Sequence, residues 1–320
     1  MGRKKQKVVE NVSQYVSEVL AEYKEEKKTL GLSKASLESI DNTFKRFFEC
    51  FGDEITVDRI DEGLTITFTR MLDNREITVS SINHYLRDYR TFVNWCYKNG
   101  YIDKPLVVRM VKGQVTPKKT FTQEELLTLT EKPKGKTDFV EWRDWAIINW
   151  IYGTSNRIGT VVNIKIGDLD LKNRLYVIRE QKNKSVTTSP LDRKLVTIIK
   201  EYMRRCRQDA DNDDYLFTNV YGEKLTTKAL EQTMAKYNKN RGVTNTAMHN
   251  LRHTFAKDFI LNGGDTAILQ KVMNHKSIAQ TRAYINLYGI EIKDAFEDAS
   301  PLGRLKQKGG SKSGRLKVND

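Results

Sequence analysis

The sequence predicts a mainly α-helical chain of two domains, with one small antiparallel β-sheet set inside the second. Three observations predict it. Apolar residues recur at spacings of three and four along most of the chain; a short Val-, Ile- and Thr-rich region breaks that rhythm between residues 168 and 189; and a basic stretch with Gly and Pro but no periodicity parts the two halves at residues 112–120. At 320 residues the chain is long enough to bury two cores without disulfide support.

From Asn11, the residues Val12, Tyr15, Val16, Val19, Leu20 and Tyr23 make one stripe of an amphipathic helix. A second stripe, Leu37, Ile40, Phe44, Phe47 and Phe48, follows Ser33, whose hydroxyl suits an N-cap. The third runs through Leu64, Phe68, Met71 and Leu72. The fourth carries Ile82, Tyr85, Leu86, Tyr89, Phe92, Val93 and Cys96 and stops at Gly100, a residue that accepts the left-handed turn closing a helix. Four helices without a clear strand make residues 1–110 an all-α domain, with residues 111–120 an exposed basic linker.

The second domain, residues 121–299, is sharply marked at its start. Thr122 and Glu125 fit a capping box, and Phe121 and Leu126 a hydrophobic staple. A bulky, buried helix follows over 138–152 with Phe139, Trp142, Trp145, Ile148 and Trp150. The runs 168–179 and 185–189, around polar turns at Lys172-Asn173 and Gln181–Lys184, then read as strands of a small antiparallel sheet. Helical stripes return from Leu191 to Phe296, broken at Asp211–Asp214, Gly222 and Gly263-Gly264. Residues 300–320, with four glycines among basic residues, have too little apolar surface to order and read as a disordered basic tail.

Lys and Arg number 55 against 41 acidic residues, a net charge of +14 that points to a polyanionic partner, nucleic acid first. Cys50, Cys96 and Cys206 match no zinc or redox spacing, which excludes a disulfide scaffold and leaves free thiols. No apolar run is long enough to cross a bilayer and no secretory segment follows the basic start, so the chain is expected to be soluble and cytoplasmic.

Cleaving a phosphodiester without a metal takes a nucleophile, cationic donors aimed at the phosphoryl oxygens, and an acid for the leaving oxygen. The second domain holds all three kinds. Arg157 follows a helix and a tight polar turn, where a guanidinium can grip phosphate oxygens with a two-pronged fork; a surface salt bridge is the alternative. His249 and Arg252, three apart near the start of a helix, share one face. His249 and His253 have the spacing of a zinc-binding His-Glu-x-x-His pair. However, Asn250 stands where the general-base Glu belongs, and Arg252 sets a cation beside the metal position. His253 reads as a packing residue.

Taken together, Gly153-Thr154-Ser155-Asn156-Arg157, then Lys182 in the hairpin turn, His249-Asn250-Leu251-Arg252-His253, Met273-Asn274-His275 and Tyr284 form an ordered series that resembles the signature of tyrosine recombinases of the phage-integrase family. The match spans the second domain, and the four-helix first domain is similar to the family's core-binding domain. The resemblance implies a C-shaped clamp closing on double-stranded DNA. It makes Tyr284 the nucleophile, Arg157 and Arg252 the phosphate clamps, His249 and His275 hydrogen-bonding or proton-transfer groups, and Lys182 the acid for the leaving 5′ oxygen. Tyr288, one helical turn from Tyr284, and Lys184, two residues from Lys182, are the rivals.

A phenol is only about one part in a thousand ionised at neutral pH, so the surrounding cations must offset roughly 4 kcal/mol. The resemblance further implies no cofactor and no metal, a homo-tetramer on DNA, and exchange of a C-terminal helix between protomers. Ile290–Ala299 is the candidate helix, with an intramolecular cap as the alternative. Integration or excision of a mobile element is the expected setting. Dimer resolution of the Xer type, relaxation by a type IB topoisomerase, and a DNA-binding protein without catalysis are the alternatives. The short segment before the first domain's helices favours a simple recombinase over one with a separate arm-binding domain. Three positions depart from the family pattern: Thr160 replaces a frequent acidic residue, and Ser155 and Asn274 replace frequent glycines.

Overall fold

The computed structural model describes residues 14–113, 119–135, 138–179, 186–275, 277 and 281. Its contacts divide the chain into two compact units, Met1–Val115 and Thr116–Asp320.

In the first unit the helices are α1 (Val16–Thr29), α2 (Lys34–Phe51), α3 (Glu62–Asp73) and α4 (Val79–Lys98). Their starts are set by short polar side chains: Ser33, Asp61 and Thr78 accept the backbone N–H of Ser36, Leu64 and Ser81. Helix α4, the longest of them, packs against α1, α2 and α3. Between them lies an aromatic core of Tyr23, Phe44, Phe47, Phe68, Tyr89 and Phe92. Phe44 meets Phe92 edge-on at 4.7 Å and Phe47 meets Phe68 at 5.4 Å. Each such pair adds about 0.5–1.5 kcal/mol beyond the area it buries. At the end of this unit Asn83 of α4 clamps the backbone of Val111, its Nδ2 donating to the carbonyl at 2.9 Å and its Oδ1 accepting the N–H at 2.8 Å.

The second unit opens with α5 (Gln123–Thr130), which carries the capping box between Thr122 and Glu125. Helix α6 (Phe139–Thr154) is its axis and packs against α5, α8 (Arg193–Cys206), α9 (Thr227–Asn240) and α10 (Met248–Leu261). Residues 142–151 are buried without a break, as expected of a helix that is apolar on all sides. Its two charged residues in that stretch satisfy each other: Arg143 donates from Nε and Nη2 to Asp144 Oδ1 at 2.8 and 2.7 Å. Thr233 closes the group by donating to Asp144 Oδ2. Burial pushes the Asp144 carboxyl up, and the neighbouring guanidinium pulls it back.

A short α7 (Ile158–Val161) leads to strands β1 (Leu169–Asp170), β2 (Leu175–Arg179) and β3 (Val186–Pro190). They form an antiparallel sheet in the order β1-β2-β3, in register at Leu169 with Tyr176 and at Val177 with Thr188. The unit's last described helix is α11 (Thr266–Val272), held on α10 by a small cluster of Ala256, Leu269 and Met273. The helical stripes predict no break between α9 and α10. The structure has one because Gly242 takes φ +72°, a left-handed turn that ends α9. Lys182, Tyr284, the stretch Ile290–Ala299 and residues 300–320 lie outside the described residues.

Candidate active site

The turn after α6 presents Arg157. Ser155 caps α6 in the left-handed region at φ 58° and is fully buried. Asn156 locks the next position: its Oδ1 accepts the indole N–H of Trp150 at 3.0 Å and its Nδ2 donates to the Tyr176 hydroxyl at 2.8 Å. With the backbone thus tied to α6 and β2, Arg157 follows at the N-cap position of α7, its side chain exposed. Thr160, in the place of the frequent acid, donates its backbone N–H to the Arg157 carbonyl at 2.8 Å.

Helix α10 supplies the second guanidinium. Arg252 is only 3 % exposed, and its cation is held by backbone carbonyls: Nη1 donates to Ser155 at 2.5 Å and Nη2 to Met273 at 2.7 Å. These two bonds fix the plane of a group with five N–H donors. They also link the turn two residues before Arg157 to the turn two residues before His275. His249, three residues earlier in the first turn of α10, is exposed, and its spacing sets it beside Arg252 along the helix. His253 is buried, with its ring edge-on to His249 at 4.5 Å between centroids, a packing position as its place on the helix suggests.

His275 stands just past α11. Asn274 makes the turn at φ 49°, and Gln270 seats it from both sides, its carbonyl accepting the His275 N–H at 3.0 Å and its Nε2 donating to the His275 carbonyl at 3.2 Å. The imidazole Nδ1 lies 2.9 Å from the hydroxyl of Thr281, which is fully buried. Burial, then the charge of Arg252, then that of Arg157, bring the His275 pKa down to about 4. Both guanidinium groups therefore act on one imidazole, and that imidazole is neutral at neutral pH. Three positions that together span more than a hundred residues of sequence contribute here, while Lys182 and Tyr284 fall outside the described residues.

Several supporting residues escape a reading of the sequence alone. Asn156 stands in the quoted motif but nothing in the motif marks its bonds, Thr281 is a single polar residue without periodic or motif context, and Gln270 acts through one backbone and one side-chain bond. A mainly apolar cavity of about 520 Å³, lined in part by Tyr152, Leu195, Phe255, Asp258, Phe259 and Ile268, has none of Arg157, His249, Arg252 or His275 in its described lining. Among the described residues no three His, Cys, Asp or Glu side chains gather as a ligand set for a metal, and no helix is long and apolar enough to cross a membrane.

Residues 119–289 match the model of the phage integrase family, and residues 11–112 match that of the phage integrase SAM-like domain. Among curated proteins, tyrosine recombinase XerA of Pyrococcus furiosus is 29% identical over 244 residues, covering 75% of this chain and 81% of its own. Tyrosine recombinase XerC of Thermodesulfovibrio yellowstonii is 26% identical over 234 residues, covering 70% of this chain and 77% of its own. Among solved structures, the Tn1549 transposon integrase in complex with transposon right end DNA superposes with a TM-score of 0.72 at 16% identity, over 90% of this chain and 99% of that one. XerH site-specific recombinase bound to palindromic difH substrate gives 0.66 at 19% identity, over 87% and 83%. These two share the fold. With more than half of its length matched by one family model and a second model matching its first unit, the chain belongs to the phage integrase family, the tyrosine recombinases.

Proposed function

We propose that this chain performs site-specific recombination on double-stranded DNA, cutting and rejoining strands through an ester between a tyrosine and a backbone phosphate. One observation carries it: the buried guanidinium of Arg252 bonds the carbonyls of Ser155 and Met273, which brings the turn before Arg157 and the turn before His275 onto one cation. A scissile phosphate set at that point receives two fixed cations, whose charge grows in value as the phosphorane forms.

The residues divide the work as follows. Arg157, exposed, and Arg252, held in plane by two carbonyls, grip the non-bridging oxygens. His275, neutral, donates from Nε2 when Nδ1 accepts from Thr281, and His249 on the open face of α10 hydrogen-bonds the same phosphate. The phenol oxygen of Tyr284 bonds to phosphorus as its proton passes to solvent. The bond from phosphorus to the 5′ oxygen breaks, and Lys182 protonates that oxygen to a 5′ hydroxyl. A hydroxyl from a partner strand then attacks the 3′-phosphotyrosyl ester and releases the phenol. The ester retains the energy of the broken bond, so the exchange consumes no ATP.

Exchange of two duplexes calls for four protomers, a homo-tetramer assembled on DNA. Integration and excision of a mobile element is the setting proposed. Resolution of replicon dimers is the second reading, favoured by the Xer names of the curated relatives.

A nicked suicide duplex from the chain's own genomic neighbourhood tests the chemistry. It should trap a covalent complex that Tyr284→Phe abolishes while DNA binding persists. An undiminished adduct in that variant transfers the role to another tyrosine, and the absence of any adduct with the unaltered chain refutes the strand-transfer function. Plasmids carrying the site once or twice, offered as intermolecular or intramolecular substrates, separate integration from resolution; relaxation of a plasmid without the site would indicate a topoisomerase.

A further inference from the structure

We propose that Thr254 is a positioning residue that ties the start of the second unit, at Phe121, to the turn of α10 bearing His249 and Arg252, so that strand cleavage depends on how Phe121 is seated. It rests on the recombination function above. The hydroxyl of Thr254 is fully buried and two-handed: it donates to the Asn250 carbonyl at 2.7 Å and accepts the backbone N–H of Phe121 at 2.9 Å.

A threonine bonded back to the carbonyl four residues earlier is common in helices. Thr254 adds a partner 133 residues away in sequence. The carbonyl it grips, Asn250, follows His249 directly, and Thr254 itself stands two residues after Arg252. One bond therefore ends on the residue next to His249 and spans Arg252, and the other ties the same hydroxyl to Phe121.

Phe121 is a firm strut. Its ring, 2 % exposed, sits in the main core with Leu126 and Leu129, and the next residue, Thr122, caps α5 through its box with Glu125. Its N–H lies just before that cap, outside the helix, and is buried, so the Thr254 oxygen satisfies a donor that α5 does not. The first unit fixes its own end in the same manner, with Asn83 of α4 on the backbone of Val111. Val111 and Phe121 are thus each held by a side chain from a helix of their own unit, and the helix that holds Phe121 is the one that carries His249 and Arg252.

The test compares full-length Thr254→Val, which keeps the shape and removes the hydroxyl, with Thr254→Ser, which keeps the hydroxyl. Thr254→Ala is the substitute should the valine variant not fold. Adduct formation on the nicked suicide duplex, duplex affinity and melting temperature are measured for each. The valine variant should bind within about twofold of the unaltered chain and form adduct about tenfold more slowly, and serine should restore the rate to within about threefold.

A valine variant that cleaves at the unaltered rate overturns the proposal. So does a loss of rate that merely follows lost binding or lost folding, with serine no better. The pH titration of the His275 ring carbons, followed by NMR on histidine-labelled protein, separates this proposal from the one it rests on. If the unaltered chain forms no adduct, recombination fails by itself. The titration then decides the positioning role: a shift in the valine variant that serine reverses supports it, and an unmoved curve overturns it.

Discussion

Arg252 donates to the backbone carbonyl of Ser155, so a buried cation of α10 closes the turn from which Arg157 projects. The same guanidinium reaches Met273 and closes the turn that presents His275. One side chain thereby joins the turn that presents Arg157 to the turn that presents His275.

Arg252→Lys should therefore fail despite keeping the charge, because a point ammonium cannot serve two carbonyls and a phosphate in one plane. Adduct formation should fall by about a hundredfold or more. The carbonyls left without a donor should lower stability by about 1–3 kcal/mol. Denaturant unfolding alongside the suicide-substrate assay separates the two effects, and retention of both stability and rate contradicts this role.

Ser155→Gly should stabilise the protein. Ser155 holds a left-handed backbone that costs a side chain about 1–2 kcal/mol, and among the described residues its buried Oγ meets no hydrogen-bond partner. The greater freedom of glycine in the unfolded chain offsets part of that, leaving a net gain of about 1 kcal/mol. Asn274→Gly relieves the same conformation, but Asn tolerates it and the gain should be smaller. Chemical denaturation of both variants measures the difference.

Stability should fall with acid in a window set by His275. The folded pKa is about 4 against an ordinary value near 6.5, so the unfolded chain takes up the proton first as pH drops. The stabilising contribution of the neutral ring is complete above about 6.5 and is lost progressively toward 4. Melting curves across that range should be less steep in pH for His275→Gln than for the unaltered chain; parallel slopes would show that the ring titrates normally.

Thr281→Val removes the hydroxyl that faces the His275 Nδ1 and should leave duplex binding intact while slowing adduct formation by about tenfold. Thr281→Ser should recover most of the rate. A valine variant as fast as the unaltered chain would mean that the ring is oriented by other contacts.

Much of this was legible in the residues themselves. The N-cap at Ser33, the box of Thr122 and Glu125, and the β-branched hairpin strands are local chemistry, and they appear where that chemistry requires. The start of α10 at Met248 places His249 and Arg252 on one face, as their spacing demands. Illegible were the contacts that span the fold: the carbonyls of Ser155 and Met273 under Arg252, and the bond from Phe121 to Thr254. Backbone groups bear no mark in a sequence. Nor does spacing reveal that burial and two neighbouring guanidinium groups leave His275 uncharged, since that depends on distances set only by packing.

Helix α6 meets solvent along almost none of its central length. Its central amides should be among the slowest of the unit to exchange their hydrogens. Arg157, three residues past its end and tied back to it through Asn156, is thus mounted on the part of the unit that opens last.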